Sequence, residues 1–144
     1  MTVFREAMES YNTYIQELSV EQKALSVRDR LHGILIRQYD FYQQHPEESL
    51  FVLRYVVFPP VFLKDTIEEA FRHSDERLTK IIEHFIVSGI EAGIIRDQPV
   101  QLLTDAFLNV MDGLSMQYFY YTSNGIYERK LNHAFEMYWN GACS

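Results

Sequence analysis

The sequence predicts an all-α fold, and three observations carry that prediction. Apolar residues recur at intervals of three and four over nearly the whole chain, no stretch alternates long enough to make a strand, and Pro, Gly and Ser/Asn punctuation cuts the periodic stretches into six helices. The first helix runs from about Thr2 to Leu18, with Val3, Ala7, Tyr11, Tyr14, Ile15 and Leu18 on one face. Ser19 and Ser26 suit helix caps and mark a short break. The second helix, Val27 to Gln44, places Val27, Leu31, Ile34, Leu35 and Tyr42 on a stripe that Gln38 interrupts. His45-Pro46 stops it, because the residue before proline avoids helical ψ, and Pro46 followed by Glu47 and Glu48 suits the first turn of a third helix.

That third helix, about Glu47 to Phe58, is apolar nearly all round from Leu50 onward, with Arg54 as its only charge past the first turn. A helix without a wet face is expected at the centre of the fold. Pro59-Pro60 ends it and is expected to open a long fourth helix reaching Ala92, whose stripe includes Leu63, Ile67, Phe71, Ser74, Leu78, Ile82 and Gly89. Gly93 supplies a left-handed stop, and Asp97 with Pro99 begins a fifth helix, about Gln98 to Tyr121. A turn at residues 122–125, with Asn124 as N-cap, leads into the sixth, Ile126 to Asn140, leaving Cys143 in a frayed tail.

The 144 residues are expected to form one domain large enough to bury a core unaided. The lone Cys143 forms no internal bridge, so a reducing, cytoplasmic setting is the expectation. The N-terminus lacks the features of a secretory signal, and no stretch approaches the roughly 20 apolar residues of a bilayer span. A net charge of −7 would repel phosphate backbones, so the chain alone is not expected to hold DNA. Arg28, Arg30 and Arg37 are the nearest approach to a basic cluster and read as a solvated face. Aromatic residues make up 15% of the chain, a surplus that fits a helical bundle with a cavity or a partner.

The partner is expected at the last two helices. On the fifth, Leu103, Phe107, Val110, Met111, Leu114, Tyr118 and Tyr121 form one stripe, and Leu102, Ala106, Gly113 and Tyr120 form a second whose small members permit close approach. On the sixth, Leu131, Ala134, Phe135 and Tyr138 face one way, while Tyr127, Trp139 and Ala142 widen the apolar arc. Two such helices suit a two-fold, four-helix interface between identical subunits.

Polar residues that interrupt apolar stripes are candidates to orient a ligand, since each needs a partner when buried: Gln38, Arg54, His84, Asn109 and Asp112. Arg54 would anchor an anionic group, or pair with an acid such as Glu83 or Asp112. Tyr55, Phe62, Phe85 and Met116 would serve as pocket walls or as core. No metal or cofactor is expected, because His32, His45, His73, His84 and His133 lie on five segments without an HxxxH pair or a nearby Cys. No Gly-rich phosphate loop or G-x-S-x-G elbow is present, so catalysis is not expected.

Several features in order resemble the C-terminal, effector-binding and dimerising domain of the TetR family of transcriptional regulators. They are the helix ending in Tyr39-Asp40-Phe41-Tyr42-Gln43-Gln44-His45-Pro46-Glu47, the Pro-initiated long fourth helix, the Glu91-Ala92-Gly93-Ile94-Ile95-Arg96 corner and the Asp112-Gly113-Leu114 step. The resemblance implies a homodimer that binds a small, largely apolar effector, with the second to fifth helices around the ligand and the first and fourth moving on binding. It also implies a parent repressor whose DNA is held by an N-terminal helix-turn-helix; this chain would be a fragment of it, or else a stand-alone sensing domain. A helical dimerisation module that binds no ligand is the alternative.

Overall fold

In the computed structural model, residues 2–21, 25–119 and 125–144 are described, the first stretch with side chains from residue 5 to residue 17. The regular structure comprises α1 (Thr2–Glu21), α2 (Val27–Gln44), α3 (Pro46–Val57), a 3-10 turn (Val61–Leu63), α4 (Lys64–Glu91), α5 (Val100–Tyr118) and α6 (Ile126–Cys143). The fold is all-α, with no strand among the described residues.

Local chemistry sets the helix ends. Ser26 caps α2, its Oγ accepting the Asp29 N–H at 3.1 Å. Pro46 opens α3 with Glu47 and Glu48 in the first turn, where acids oppose the helix dipole. Pro59-Pro60 does not open α4 directly. Two successive prolines donate no N–H, Pro60 is extended at ψ 137°, and the chain makes a 3-10 turn before α4 begins at Lys64. Gly93 adopts φ +74° as expected of a left-handed stop, and the N–H groups of Ile94 and Ile95 both donate to the Gly89 carbonyl, at 2.9 and 3.1 Å. Gly125, at φ +73°, precedes α6; Tyr120, Tyr121 and Asn124 lie outside the described residues. The sixth helix does not fray at Asn140 but continues to Cys143. Its end is tied down, because Ala142 is buried and its carbonyl accepts the Arg96 N–H at 3.0 Å and Gln98 Nε2 at 3.2 Å.

The chain divides into two compact units: Met1–Ala24 with Gln38–Leu78, and Leu25–Arg37 with Thr79–Ser144. In the first, α1 packs along α3, and Met8 and Ile67 form a core against which Tyr11, Phe51, Val52, Tyr55, Leu63, Ala70 and Phe71 pack. The third helix is not the central element its composition implies. Ser49 is its only buried residue, while Leu50, Val56 and Val57 are exposed and Phe58 is 82% exposed. Apolar character all round a helix does not bring neighbours to every side, and this short helix is covered along one face only.

In the second unit, Leu31, Ile34, Leu35, Ile82, Ile86, Phe107, Leu131 and Phe135 are fully buried, with α5 packed on α6. Two of the three arginines expected on a solvated face instead cover rings of this core. The Arg28 guanidinium lies 5.3 Å from the Phe135 ring centre and that of Arg30 5.5 Å from Phe85. Arg28 is also paired with Glu136.

Candidate functional site

The first unit has a polar as well as an apolar interior. Gln38, on the α2 stripe, is 4% exposed and donates through Nε2 to the Tyr42 hydroxyl at 3.1 Å. Ser74, at 1% exposure on α4, donates its hydroxyl hydrogen to Asn12 Oδ1 on α1. Helical periodicity puts these side chains on faces that also carry core residues, so each needs its partner indoors.

The first turn of α3 adds two polar groups of a different kind. Ser49 is 7% exposed, and its Oγ has no hydrogen-bond partner among the described residues. The Glu48 side chain is 41% exposed; its Oε2 alone is covered and has no such partner, while Oε1 lies 3.8 Å from His45 Nδ1, beyond hydrogen-bond reach. Glu48 and Ser49 stand four and three residues before Val52, so both project over the face that packs on Met8 and Ile67. A sealed hydroxyl left unpaired, as at Ser49, costs about 1–3 kcal/mol.

Rings lie beside this end of α3. His45 packs on Phe41 with ring centres 4.7 Å apart, and Phe41 meets Tyr14 at 5.2 Å and Tyr11 at 5.9 Å. Phe51 and Tyr55 pair at 4.4 Å further along α3. A ring cluster from α1 and the end of α2 thus reaches His45, the residue before α3.

The residues expected to bind a ligand are divided between the two units. In the first, Gln38 is interior and Tyr55 half-buried against the core, whereas Arg54 is exposed and Phe62 is 84% exposed. In the second, Phe85 is core, His84 is exposed, and Asn109, Asp112 and Met116 all lie on the outer face of α5. Glu48 and Ser49 were not among the expected residues. Their first-turn position reads as helix-end chemistry, and only the packing of α3 on its neighbours buries Ser49 and covers Glu48 Oε2.

The outer face of α5 is the second notable surface. Leu102, Ala106, Gly113 and Met116 are all exposed there, with Val110 half-buried beside them, and a Cβ added at Gly113 meets open space. The opposite face, Leu103, Thr104, Phe107, Met111, Leu114 and Tyr118, fills the chain's own core. Of the α6 residues expected at a dimer contact, Tyr127, Leu131 and Phe135 are also taken up by that core, at 2%, 1% and 0% exposure, and have no area left for a partner. Ala134, Tyr138 and Trp139 are half-buried. Met137 at 75% exposure and Gly141, both missed in the sequence, share the Ala134 side of α6.

Among the described residues no group of three His, Cys, Asp or Glu side chains is placed to hold a metal ion, and no helix is long and apolar enough to cross a membrane. An open groove on α4, lined by Glu69, Ala70, Arg72, His73 and Glu76, draws all its polar groups from one helix. No protein-family model matches the chain, and a search of the curated proteins returns no match.

Proposed function

We propose that this chain is the effector-sensing and dimerising half of a bacterial TetR-like transcriptional regulator, acting in the cytoplasm on DNA held by a helix-turn-helix outside the chain. The observation that carries the reading is the two-faced α5. One side fills the core, and the other leaves Leu102, Ala106, Gly113 and Met116 uncovered in a helical line that a second copy of the same line would bury. The buried, unpaired Ser49 Oγ supports the sensing half of the proposal, since a small molecule entering the first unit would satisfy it. Binding would then favour one of two states of the regulator in proportion to its difference in affinity for them.

A second reading, a dimerising helical module that senses nothing, is favoured by the burial of Phe85 as ordinary core and the exposure of Arg54, His84 and Asn109. Both readings require the dimer. Sedimentation at micromolar concentration is expected to give a two-subunit species, and Gly113→Arg to give a monomer with unchanged helical circular dichroism. A wild-type chain that sediments as a single subunit overturns both.

A further inference from the structure

We infer that the tip joining α3 to α4 is a membrane-surface anchor. Its rings enter the boundary between headgroups and acyl chains of an anionic leaflet, while Arg54 and Lys64 meet lipid phosphates. The inference stands apart from the sensing and dimer readings, which rest on Ser49 and on α5.

The tip is uncovered and uniform in character. Residues 55–63 read Tyr-Val-Val-Phe-Pro-Pro-Val-Phe-Leu, nine positions without a charge. Phe58, Val61 and Phe62 are 82%, 92% and 84% exposed, and Val56 and Val57 are half exposed beside them. The two phenylalanines alone leave roughly 300 Å2 of side chain in water. The valines carry the patch past the few hundred Å2 above which an exposed apolar surface marks a contact. The inner side of the segment is already engaged, because Phe51, Val52, Tyr55 and Leu63 pack on the Met8 and Ile67 core.

The backbone suits a lipid boundary. An N–H without a partner is costly there, so a loop enters only where such groups are few or already bonded. Pro59 and Pro60 carry none. The Phe58 N–H donates to the Arg54 carbonyl at 2.8 Å, the Leu63 N–H to the Pro60 carbonyl at 2.9 Å, and the Lys64 N–H to the Val61 carbonyl. Those of Val61 and Phe62 are left for headgroup water. A protein partner would need a pocket shaped to each projecting ring, whereas lipid conforms to any apolar tip. The two prolines also restrict the segment beforehand, so little order is lost on insertion.

Charge selects the leaflet. Arg54 and Lys64 bracket the uncharged stretch, and both are exposed. Lys64 meets Glu68 at 3.9 Å with both side chains 60% exposed, a contact weak enough for the ammonium to turn to a phosphate. Long stems let both cations reach headgroups while the rings sit deeper. Asp65 and Glu68 follow on α4, and the chain's net charge is −7, so the attraction is confined to the tip. Apolar insertion therefore carries the affinity, and the two cations carry the preference.

Sedimentation of the whole chain with sucrose-loaded vesicles is the test. Wild type is expected to pellet with mixed phosphatidylcholine and phosphatidylglycerol, and to bind phosphatidylcholine alone at least about fivefold more weakly. Phe58→Ser with Phe62→Ser is expected to weaken both at least about tenfold with helical circular dichroism unchanged, since both rings are exposed. Arg54→Gln with Lys64→Gln is expected to remove the phosphatidylglycerol preference and keep phosphatidylcholine binding. Val61→Trp emission, taken as the difference from wild type, should shift to the blue with vesicles and be quenched by brominated acyl chains. A wild-type chain left in the supernatant at millimolar lipid, binding indifferent to the phenylalanine pair, or Val61→Trp emission unmoved by vesicles overturns the anchor. Equal affinity for the two lipid compositions, or a preference that survives loss of both cations, overturns the anionic assignment. A sedimentation coefficient that falls in the phenylalanine variant without lipid gives the face to a second copy and also overturns the anchor. Gly113→Arg reads the α5 dimer separately, so failure of either leaves the other standing.

Discussion

Ile95 folds back onto Gly89, its N–H donating to the Gly89 carbonyl at 3.1 Å and its side chain filling the space that a Cβ at Gly89 would need. A built Cβ would come within 2.6 Å of Ile95 Cδ1 and 2.9 Å of Cγ1, with Val27 Cγ1 at 3.1 Å. Ile95 is buried and has little room to yield. Gly89→Ala therefore sets a helix-propensity gain of roughly 0.5–1 kcal/mol against overpacking of about 1–3 kcal/mol, and overpacking wins. The variant is expected to melt several degrees lower in a thermal scan, and Ile95→Val in the same chain to recover part of the loss.

The Tyr138 hydroxyl donates to the Leu103 carbonyl at 2.8 Å, joining α6 to α5. Tyr138→Phe should cost about 0.5–1.5 kcal/mol, which is roughly 2–5 °C in melting temperature for a chain of this size. Burial also holds the phenol above its ordinary 10.0, so the folded chain favours the protonated form. The stability this contributes is present below pH 10.0 and is lost as pH rises further, because the unfolded phenol ionises first. Denaturation followed from neutral to strongly alkaline pH is expected to show the gap between wild type and Tyr138→Phe closing above that value.

Asp75 is raised above its ordinary 3.8, first by burial and second by the adjacent Glu76. The contribution of a group raised in this way is present below 3.8 and lost as pH rises through the folded value, so the ionised carboxylate opposes folding at neutral pH. Asp75→Asn is expected to raise the melting temperature slightly at neutral pH and to have no such effect in acid below 3.8. The effect is small because the side chain is largely exposed.

His32 stacks on Phe135 with ring centres 4.7 Å apart, and its Nε2 lies 2.9 Å from Asn132 Oδ1. The nearby Arg28–Glu136 pair is substantially solvent-exposed. Exposed pairs contribute about 0–1 kcal/mol, whereas a stacked and hydrogen-bonded ring contributes more. Urea denaturation should place His32→Ala about 1–2 kcal/mol below wild type and Glu136→Gln within about 0.5 kcal/mol of it.

Phe58 and Phe62 are 82% and 84% exposed, so little apolar area is removed from water at either. Phe62→Ser should leave stability within about 0.5 kcal/mol of wild type. An equal truncation at Phe107, which is fully buried, should cost about 3–5 kcal/mol. Equilibrium unfolding of the two variants side by side tests the contrast.

The candidate site was legible only in part. Gln38 stood out because a long polar side chain on a stripe of Leu and Ile must be buried with a partner, and it is. Glu48 and Ser49 did not, because in a first turn they look like ordinary capping chemistry until α3 is packed. Asn109, Asp112 and Met116 read as pocket residues because a stripe gives direction around a helix axis and not what lies opposite. The same limit divided the expected interface, sending Tyr127, Leu131 and Phe135 inward while Leu102, Ala106 and Gly113 stayed outside.

The sequence by itself determined the all-α class, the six helices and several of their ends. Ser26, Pro46 and Gly93 act through sterics and hydrogen bonds with residues a few positions away, and those effects survive without knowledge of the fold. Only the tertiary structure decided that α3 is half bare, that Arg28 and Arg30 lie over rings, and that the end of α6 is pinned to Arg96 and Gln98. Burial is a sum over neighbours distant in the chain, and residue type sets how strongly a side chain seeks cover without naming what covers it.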